Sequence, residues 1–542
     1  MNRVIFLLLY ALLSGNQALG DTIVRCSDLA NHDFSRLLDA PTQIVDTAMI
    51  SESKELPAHC QVNGYVSPAV GFSLVLPTNL EWNKKLFQLG CGGFCGSTDD
   101  AGGCDEPLRR GYASITSDNG HKSTITDGKW AFGNLTAEID HAFRAPHVTS
   151  LAGKAIVQSY YGESPRRAYF MGSSTGGRQA LMEAQRFPWD FDGIIAGVPS
   201  VNVPLIYMHL LWANRALVDT QGTPRLSPAD IETIHKAVLA QCDLDDGLPD
   251  ELIGDPRTCS FDPFQLLCSH LKKIRCLSAE QVDTVRKLYS GPVTSTGEQI
   301  YSSGVMKGSE RTWLEYFWGA GKGNRWVPFD FAGDAFRYSA FRPAPGPEWS
   351  PHDFNFDRDY KRLGQSEALY AAINPDLRKF SAAGGKLIAY AGWDDAIGMP
   401  LPMVDYYETV ERTMGGRETT QDFFRLFVIP GMAHVPDANG AFVVDWISYL
   451  EGWVERGEAP AAVRSACLRL SAGQSVPRER IVRAAITGVP DPALVSFTRP
   501  VYPYPTKAIY SGHGDPNEAS SFIPADENNT VIKGRRRHQI RR

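Results

Sequence analysis

The sequence predicts an α/β fold, a mostly parallel sheet covered by helices and interrupted by one large insertion. Two stretches carry the prediction, because each alternates short apolar runs with amphipathic segments. In the first, Lys85–Gly90 and Tyr112–Ser117 read as buried strands, and a long helix spans Glu138–Tyr161. Arg167–Ser173 reads as a strand, 175–186 as a helix and Gly193–Val198 as a strand. In the second, Lys386–Trp393 and Phe423–Ile429 read as strands, with helices over Met403–Met414 and Val443–Arg456. Strands that are apolar on both faces belong to a sheet covered on both sides.

Residues 200–380 have a different texture, with clustered Cys and many Trp and Tyr but little alternation, and read as an inserted lid. The catalytic domain is then discontinuous, 21–199 and 381–525, and the basic end 526–542 reads as a disordered tail. The chain has 542 residues, 43% hydrophobic and 21% charged, which excludes a mostly disordered or fibrous protein. Its net charge of -7 gives no basic excess to suggest nucleic acid.

Residues 1–20 have the pattern of a signal peptide. Arg3 supplies the positive start, Val4–Leu13 is too short an apolar run to span a bilayer, and Ala18-Leu19-Gly20 offers small residues for cleavage before Asp21. No later stretch is apolar enough to cross a membrane, so a secreted protein with no membrane partner is expected. Export implies oxidising conditions, in which ten Cys allow five disulfides. Cys242/Cys259 and Cys268/Cys276 are spaced as local staples, and Cys26 and Cys60 join the expected disulfide set. The pairing of Cys91, Cys95, Cys104 and Cys467 stays open. Asn134-Leu135-Thr136 and Asn528-Asn529-Thr530 are glycosylation sequons.

Gly172-Ser173-Ser174-Thr175-Gly176 fits G-x-S-x-G. The pattern is common, but here a strand precedes it and a helix follows, the setting of a nucleophile elbow in an α/β-hydrolase core. Such a turn lifts the Ser174 hydroxyl above the sheet, beside the N–H groups of the helix start. A serine needs a positioned base. In this architecture acid and base follow at the ends of later strands. Leu387–Trp393 runs into Asp394-Asp395, and Leu426–Pro430 runs into Gly431-Met432-Ala433-His434. His434 is the candidate base and Asp395 the candidate acid, although spacing alone does not separate Asp395 from Asp394. Oxyanion donors are expected from the Thr175 N–H and from the loop Gly90–Gly96, at Gly92 or Gly93.

A second acidic motif lies in the lid. Asp243, Asp246 and Asp250 recur within eight residues, with Gly247 between them. Carboxylates gathered this way suit structural Ca²⁺, with main-chain carbonyls completing the shell. The substrate pocket is less readable. Trp313, Phe317, Trp318, Trp326 and Trp349 are candidates to stack on an aromatic acyl group or are lid core. Arg337 or Arg342 would suit a free carboxylate on the substrate.

These residues together resemble the tannase and feruloyl esterase family, which includes mono(2-hydroxyethyl) terephthalate hydrolase. The resemblance rests on GCGGFCG at 90–96, HAFRAPHVTSLAGKAIVQSYYG at 141–162 and MGSSTGGRQALMEAQRFPWDFDGIIAGVPSVN at 171–202. AGWDDAIGMP at 391–400, IPGMAHV at 429–435 and RPVYPYPTKAIYSGHGD at 499–515 extend it. It implies a serine carboxylesterase with a lid over an aromatic acyl pocket. The family's G-W-x-D pattern places the acid at Asp395, and its calcium loop adds the carbonyls of Leu248 and Leu252. The family usually joins the Ser and His loops by a disulfide. Here Ser173 and Val435 occupy those positions, and Tyr502 and Pro524 stand where a second pair is usual.

The reading is therefore a secreted serine esterase acting on small aromatic esters of hydroxycinnamic or gallic type. Its rivals are a terephthalate-monoester hydrolase, another acyl-transfer enzyme, and a catalytically silent homologue that binds through its pocket.

Overall fold

The computed structural model describes residues 24–98, 103–269, 275–302, 304–318, 330–434, 440–468, 488, 494–526, 530–533 and 536–539. The segment 1–20 read as a signal peptide, Trp326, Val435, and Asn528 and Asn529 of the second sequon lie outside them.

Nine strands build the main sheet: β1 (Thr42–Ile50), β2 (His59–Val66), β3 (Val70–Pro77), β4 (Lys85–Leu89), β5 (Ala113–Ser117), β6 (Arg167–Ser173), β7 (Gly193–Gly197), β8 (Lys386–Gly392) and β9 (Phe424–Ile429). Their order is β1-β2-β3-β5-β4-β6-β7-β8-β9. From β5 to β9 every pairing is parallel, whereas β1, β2, β3 and β5 pair antiparallel. The parallel half matches the predicted strands to within a residue or two. The antiparallel meander β1–β3 was not predicted.

Alternate side chains of the parallel strands enter two different cores, as the two-residue period requires. Leu86, Phe170, Ile194 and Leu387 pack on one face with Val148, Ile156 and Leu181 of the helices Ala145–Tyr161 and Thr175–Arg186. Phe87, Tyr169, Ile195 and Ile388 pack on the other with Trp446 and Leu450 of the helix Trp446–Arg456. Burial on both faces is why these strands read as continuous apolar runs.

Between β7 and β8 the chain leaves the sheet. The helices Val203–Leu217, Pro228–Cys242 and Ala279–Ser290 gather a separate core around Trp313, Phe317 and Phe336. Disulfides Cys242–Cys259 and Cys268–Cys276 staple this region, and Cys26–Cys60 ties the N-terminal segment to β2. A fourth, Cys91–Cys95, closes the Gly-rich loop after β4. The structure therefore has four disulfides where ten cysteines allowed five, with Cys104 and Cys467 outside them.

After the last core helix, β10 (Val463–Leu468) pairs with β11 (Val495–Val501). A further sheet joins β12 (Lys507–Tyr510), β13 (Phe522–Ala525), β14 (Thr530–Lys533) and β15 (Arg536–Gln539). Within the basic end, the described backbone of 530–533 and 536–539 pairs as the β14–β15 hairpin and extends that sheet. No described helix is long and apolar enough to cross a membrane.

Candidate active site

The nucleophile candidate sits where β6 ends. Ser174 adopts φ 60° and ψ −116°, a left-handed conformation that a non-glycine residue takes only when its surroundings enforce it. The enforcement is visible on both sides. A Cβ on Gly172 would lie 2.5 Å from the Gly176 carbonyl carbon, so only glycine lets the turn close. The Ser174 N–H is pinned to the Gly197 carbonyl at 2.9 Å, and the Ser174 carbonyl accepts from Arg178 N at 3.0 Å.

Three side chains then form a chain of hydrogen bonds. Ser174 Oγ lies 3.0 Å from His434 Nε2, and His434 Nδ1 lies 2.8 Å from Asp395 Oδ2. Asp395 Oδ1 accepts from the Ile397 and Gly398 N–H groups at 2.9 and 2.7 Å. Asp395 is 3% exposed, so those donors replace water around a buried carboxylate. The ambiguity between the two aspartates is resolved here: Asp395 faces His434, whereas the Asp394 carboxyl borders the lid turn at Gly308.

The loop 90–96 packs directly on the helix that follows the serine. Gln179 of that helix accepts from Cys91 N at 3.3 Å and contacts Cys91 Sγ at 3.3 Å. Thr175 Oγ1 donates to the Gly93 carbonyl at 2.7 Å. Among the described residues, the N–H groups of Gly92 and Gly93 have no backbone acceptor. The Thr175 N–H lies at the helix start, where the first N–H groups have no intrahelical partner.

Sequence reasoning missed several supports. Arg178, fully buried, donates to the Ala142 and His141 carbonyls at 2.5 and 2.8 Å, where a π-turn at Asp140–Arg144 widens the preceding helix. His121 holds the Phe94 carbonyl at 2.8 Å and stacks on Trp130 at 3.8 Å. Burial pushes its imidazole down to about 4, so it is neutral at pH 7. His209 of the lid is fully buried facing the Ala396 carbonyl and Asp395, and burial likewise pushes it down to about 4. All these partners lie far apart in sequence, so no local spacing announces them.

The pocket candidates divide. Trp313 and Phe317 are fully buried lid core. Trp318 Nε1 donates to the Gly222 carbonyl, and Trp349 packs against Phe336 and Phe341. Both arginines are committed to protein partners. Arg337 Nη1 pairs with Asp334 at 2.9 Å and its Nε donates to the Trp349 carbonyl, while Arg342 grips Glu138 with both Nη atoms. An aromatic cluster instead borders the oxyanion loop, where Phe94 packs on Phe331 at 4.6 Å and on Trp130 and Tyr207 at 6.2 and 6.1 Å.

In the acidic lid loop, Asp246 Oδ1 accepts from Leu248 N and Asp250 Oδ1 from Leu252 N. Burial, with Asp250 and Asp243 close by, pushes the Asp246 carboxyl up to about 8. Asp243 Oδ1 is buried without a hydrogen-bond donor. Arg499 of β11 pairs with Asp250 at 2.5 Å. Among the described residues no three His, Cys, Asp or Glu side chains are gathered closely enough to hold a metal by themselves. Carboxylates that repel one another around an orphaned oxygen fit a hard cation whose shell also takes carbonyls.

The family model for tannase and feruloyl esterase matches residues 55–525. The chain is 34% identical to an esterase of Xanthomonas campestris pv. campestris over 87% of this chain and 85% of that relative. It is 32% identical, with the same coverages, to the mono(2-hydroxyethyl) terephthalate hydrolase of Piscinibacter sakaiensis. In structure it resembles feruloyl esterase B from Aspergillus oryzae, with TM-score 0.76 and 24% identity over 92% of this chain and all of that one. That likeness bears on the fold alone. With a sheet of this topology and matches along nearly the whole chain, the protein belongs to the tannase and feruloyl esterase family and is a carboxylic ester hydrolase.

Proposed function

We propose that the protein is a secreted serine esterase that hydrolyses small esters of aromatic carboxylic acids, of hydroxycinnamic or gallic type, through Ser174, His434 and Asp395. The observation that carries this reading is the unbroken hydrogen-bond chain from Asp395 through His434 to the strained Ser174.

In the first step His434 Nε2 takes the Ser174 proton as Oγ attacks the ester carbonyl. Negative charge develops on the carbonyl oxygen, where Thr175 N–H and a donor from Gly92 or Gly93 face it. Each such donor is typically worth roughly 3 kcal/mol in the transition state. His434 then returns the proton to the departing alcohol, leaving an acyl group on Ser174. A water, deprotonated by the same imidazole, attacks the acyl carbonyl and releases the acid and the serine. Asp395 holds the imidazole tautomer and stabilises the imidazolium throughout.

The aromatic acyl preference is supported by Phe94 and Phe331 beside the oxyanion loop and by the feruloyl esterases among the relatives. A terephthalate monoester would need a cation for its free carboxylate, and Arg337 and Arg342 are already engaged. Export is supported by the leader-like first twenty residues and by four disulfides. Structural Ca²⁺ in the lid would be held by Asp243, Asp246 and Asp250 with the carbonyls of Leu248 and Leu252. It would neutralise a crowded acidic loop and supply no step at Ser174.

The test is hydrolysis of methyl ferulate, methyl gallate and a terephthalate monoester side by side, with Ser174→Ala as the control. Turnover of the first two that vanishes in the variant supports the reading. Turnover of the terephthalate monoester alone, or of no ester, would overturn it.

A further inference from the structure

Asp394 stands beside the triad acid yet takes no part in the hydrogen-bond chain. Its surroundings come from three directions. Its own N–H donates to the Met432 carbonyl at 3.0 Å, which ties it to the loop carrying His434. Its carboxyl faces the lid: a Cβ on Gly308 would lie 3.2 Å from Asp394 Oδ1. Behind Gly308 lies Glu310, fully buried.

Glu310 is a hub for the lid. Its Oε2 meets His235 Nδ1 at 2.7 Å, and its Oε1 accepts from Tyr289 OH at 2.7 Å and from Gly308 N at 2.8 Å. His235 and Tyr289 come from separate lid helices, Pro228–Cys242 and Ala279–Ser290. One buried carboxylate therefore fixes two helices and the Gly308 turn, and the turn seats on Asp394. Burial and the neighbouring Glu310 push the Asp394 carboxyl up to about 8, so at pH 7 it meets the lid as a neutral acid and not as a second charge.

We infer that Glu310 and Asp394 are positioning residues: through the Gly308 turn they set the acid loop and the base loop, so that the lid holds Asp395 and His434 in register with Ser174. The inference rests on the proposed triad. Neither residue touches the reacting atoms. Displacing a catalytic group by about 1 Å can cost on the order of 100-fold in rate without altering what the pocket binds. The signature is therefore a loss in kcat with little change in KM.

The experiment is steady-state kinetics of the full enzyme on methyl ferulate, with melting curves, for Glu310→Gln, Asp394→Ala, Asp394→Asn and Gly308→Ala. Glu310→Gln, Asp394→Ala and Gly308→Ala should each lower kcat about tenfold or more with KM within about threefold. Asp394→Asn, the same shape as the neutral acid, should recover most of the activity lost in Asp394→Ala. Folded variants with unchanged kcat, a loss confined to KM, or an Asn variant no better than Ala would overturn the inference. Should Glu310→Gln not fold, the two Asp394 variants decide it alone. A Ser174→Ala enzyme that still turns over would instead overturn the proposed function, so the two failures are distinct.

Discussion

His434 Nε2 stands 3.0 Å from Ser174 Oγ although 260 positions separate them in the chain. The parallel sheet makes that approach, with only β7 and β8 between the two strands concerned. Ser174 follows β6 and His434 follows β9, with the whole lid inserted between. No disulfide ties the two loops among the described residues. Ser173, where the family usually carries Cys, hydrogen-bonds Tyr390 OH at 3.1 Å instead.

Removal of the nucleophile should abolish turnover without unfolding the protein. Ser174→Ala is expected to lower kcat by on the order of 10⁴-fold or more, and Asp395→Asn by about 10⁴-fold through the wrong imidazole tautomer. Circular dichroism and melting temperature should stay close to the parent. Activity surviving in Ser174→Ala would place the nucleophile elsewhere.

Gly398 is a steric gauge of the acid–base pair. A Cβ there would lie 2.8 Å from Asp395 Oδ2 and 3.2 Å from His434 Nδ1. Gly398→Ala should therefore push the two apart and reduce kcat by roughly 10- to 100-fold while the fold persists. A wild-type rate in this variant would mean that the pair tolerates displacement.

The Cys91–Cys95 disulfide joins residues only four apart in sequence, too short a loop for a large effect on the unfolded chain. Its work is local, holding Gly92 and Gly93 against the nucleophile helix. Replacing both cysteines by serine should cut kcat several-fold to tenfold with a small change in melting temperature. The opposite pattern, a large melting shift with full activity, would assign the bridge to stability alone.

Two buried histidines make stability pH-dependent. His121 and His209 are held neutral by burial, each at about 4 against roughly 6.5 in the unfolded chain. The folded value is the lower one, so the unfolded state takes up protons first, and stability falls as pH drops from about 6.5 to about 4. Each contributes a loss of about 3 kcal/mol over that range. His209→Gln should show a smaller drop between pH 7 and 4.5 in urea unfolding than the parent. An equal drop in both proteins would show that His209 charges freely when folded.

Chelation bears on the lid. If a hard cation relieves the repulsion among Asp243, Asp246 and Asp250, EDTA should lower the melting temperature by several degrees, and added Ca²⁺ should restore it. An Asp246→Asn variant should lose that response. Identical melting curves with EDTA and with Ca²⁺ would remove calcium from the account.

The parallel half of the fold was legible because its strands are buried on both faces and its turns carry glycine. The meander β1–β3 was not. Along β1 only Thr42 and Ile44 are buried and the positions after Ile44 are mostly exposed, which leaves no sustained alternation in the sequence. Ser174 and His434 were readable from strand ends and order. Spacing alone did not separate Asp395 from Asp394; the family's G-W-x-D pattern pointed to Asp395, and it is Asp395 that faces the imidazole while Asp394 faces the lid. Arg178, His209 and Glu310 carry no local signature, since the partners they reach on other elements lie tens to hundreds of residues away. Trp313 and Phe317 illustrate the converse, aromatic residues in a suggestive cluster that simply fill a core.

The most direct measurement is covalent labelling with a fluorophosphonate, followed by peptide mapping. One phosphonyl group on Ser174, lost in His434→Ala while that variant stays folded, is the predicted result. A folded enzyme that resists the reagent, or carries it on another residue, would contradict the central claim.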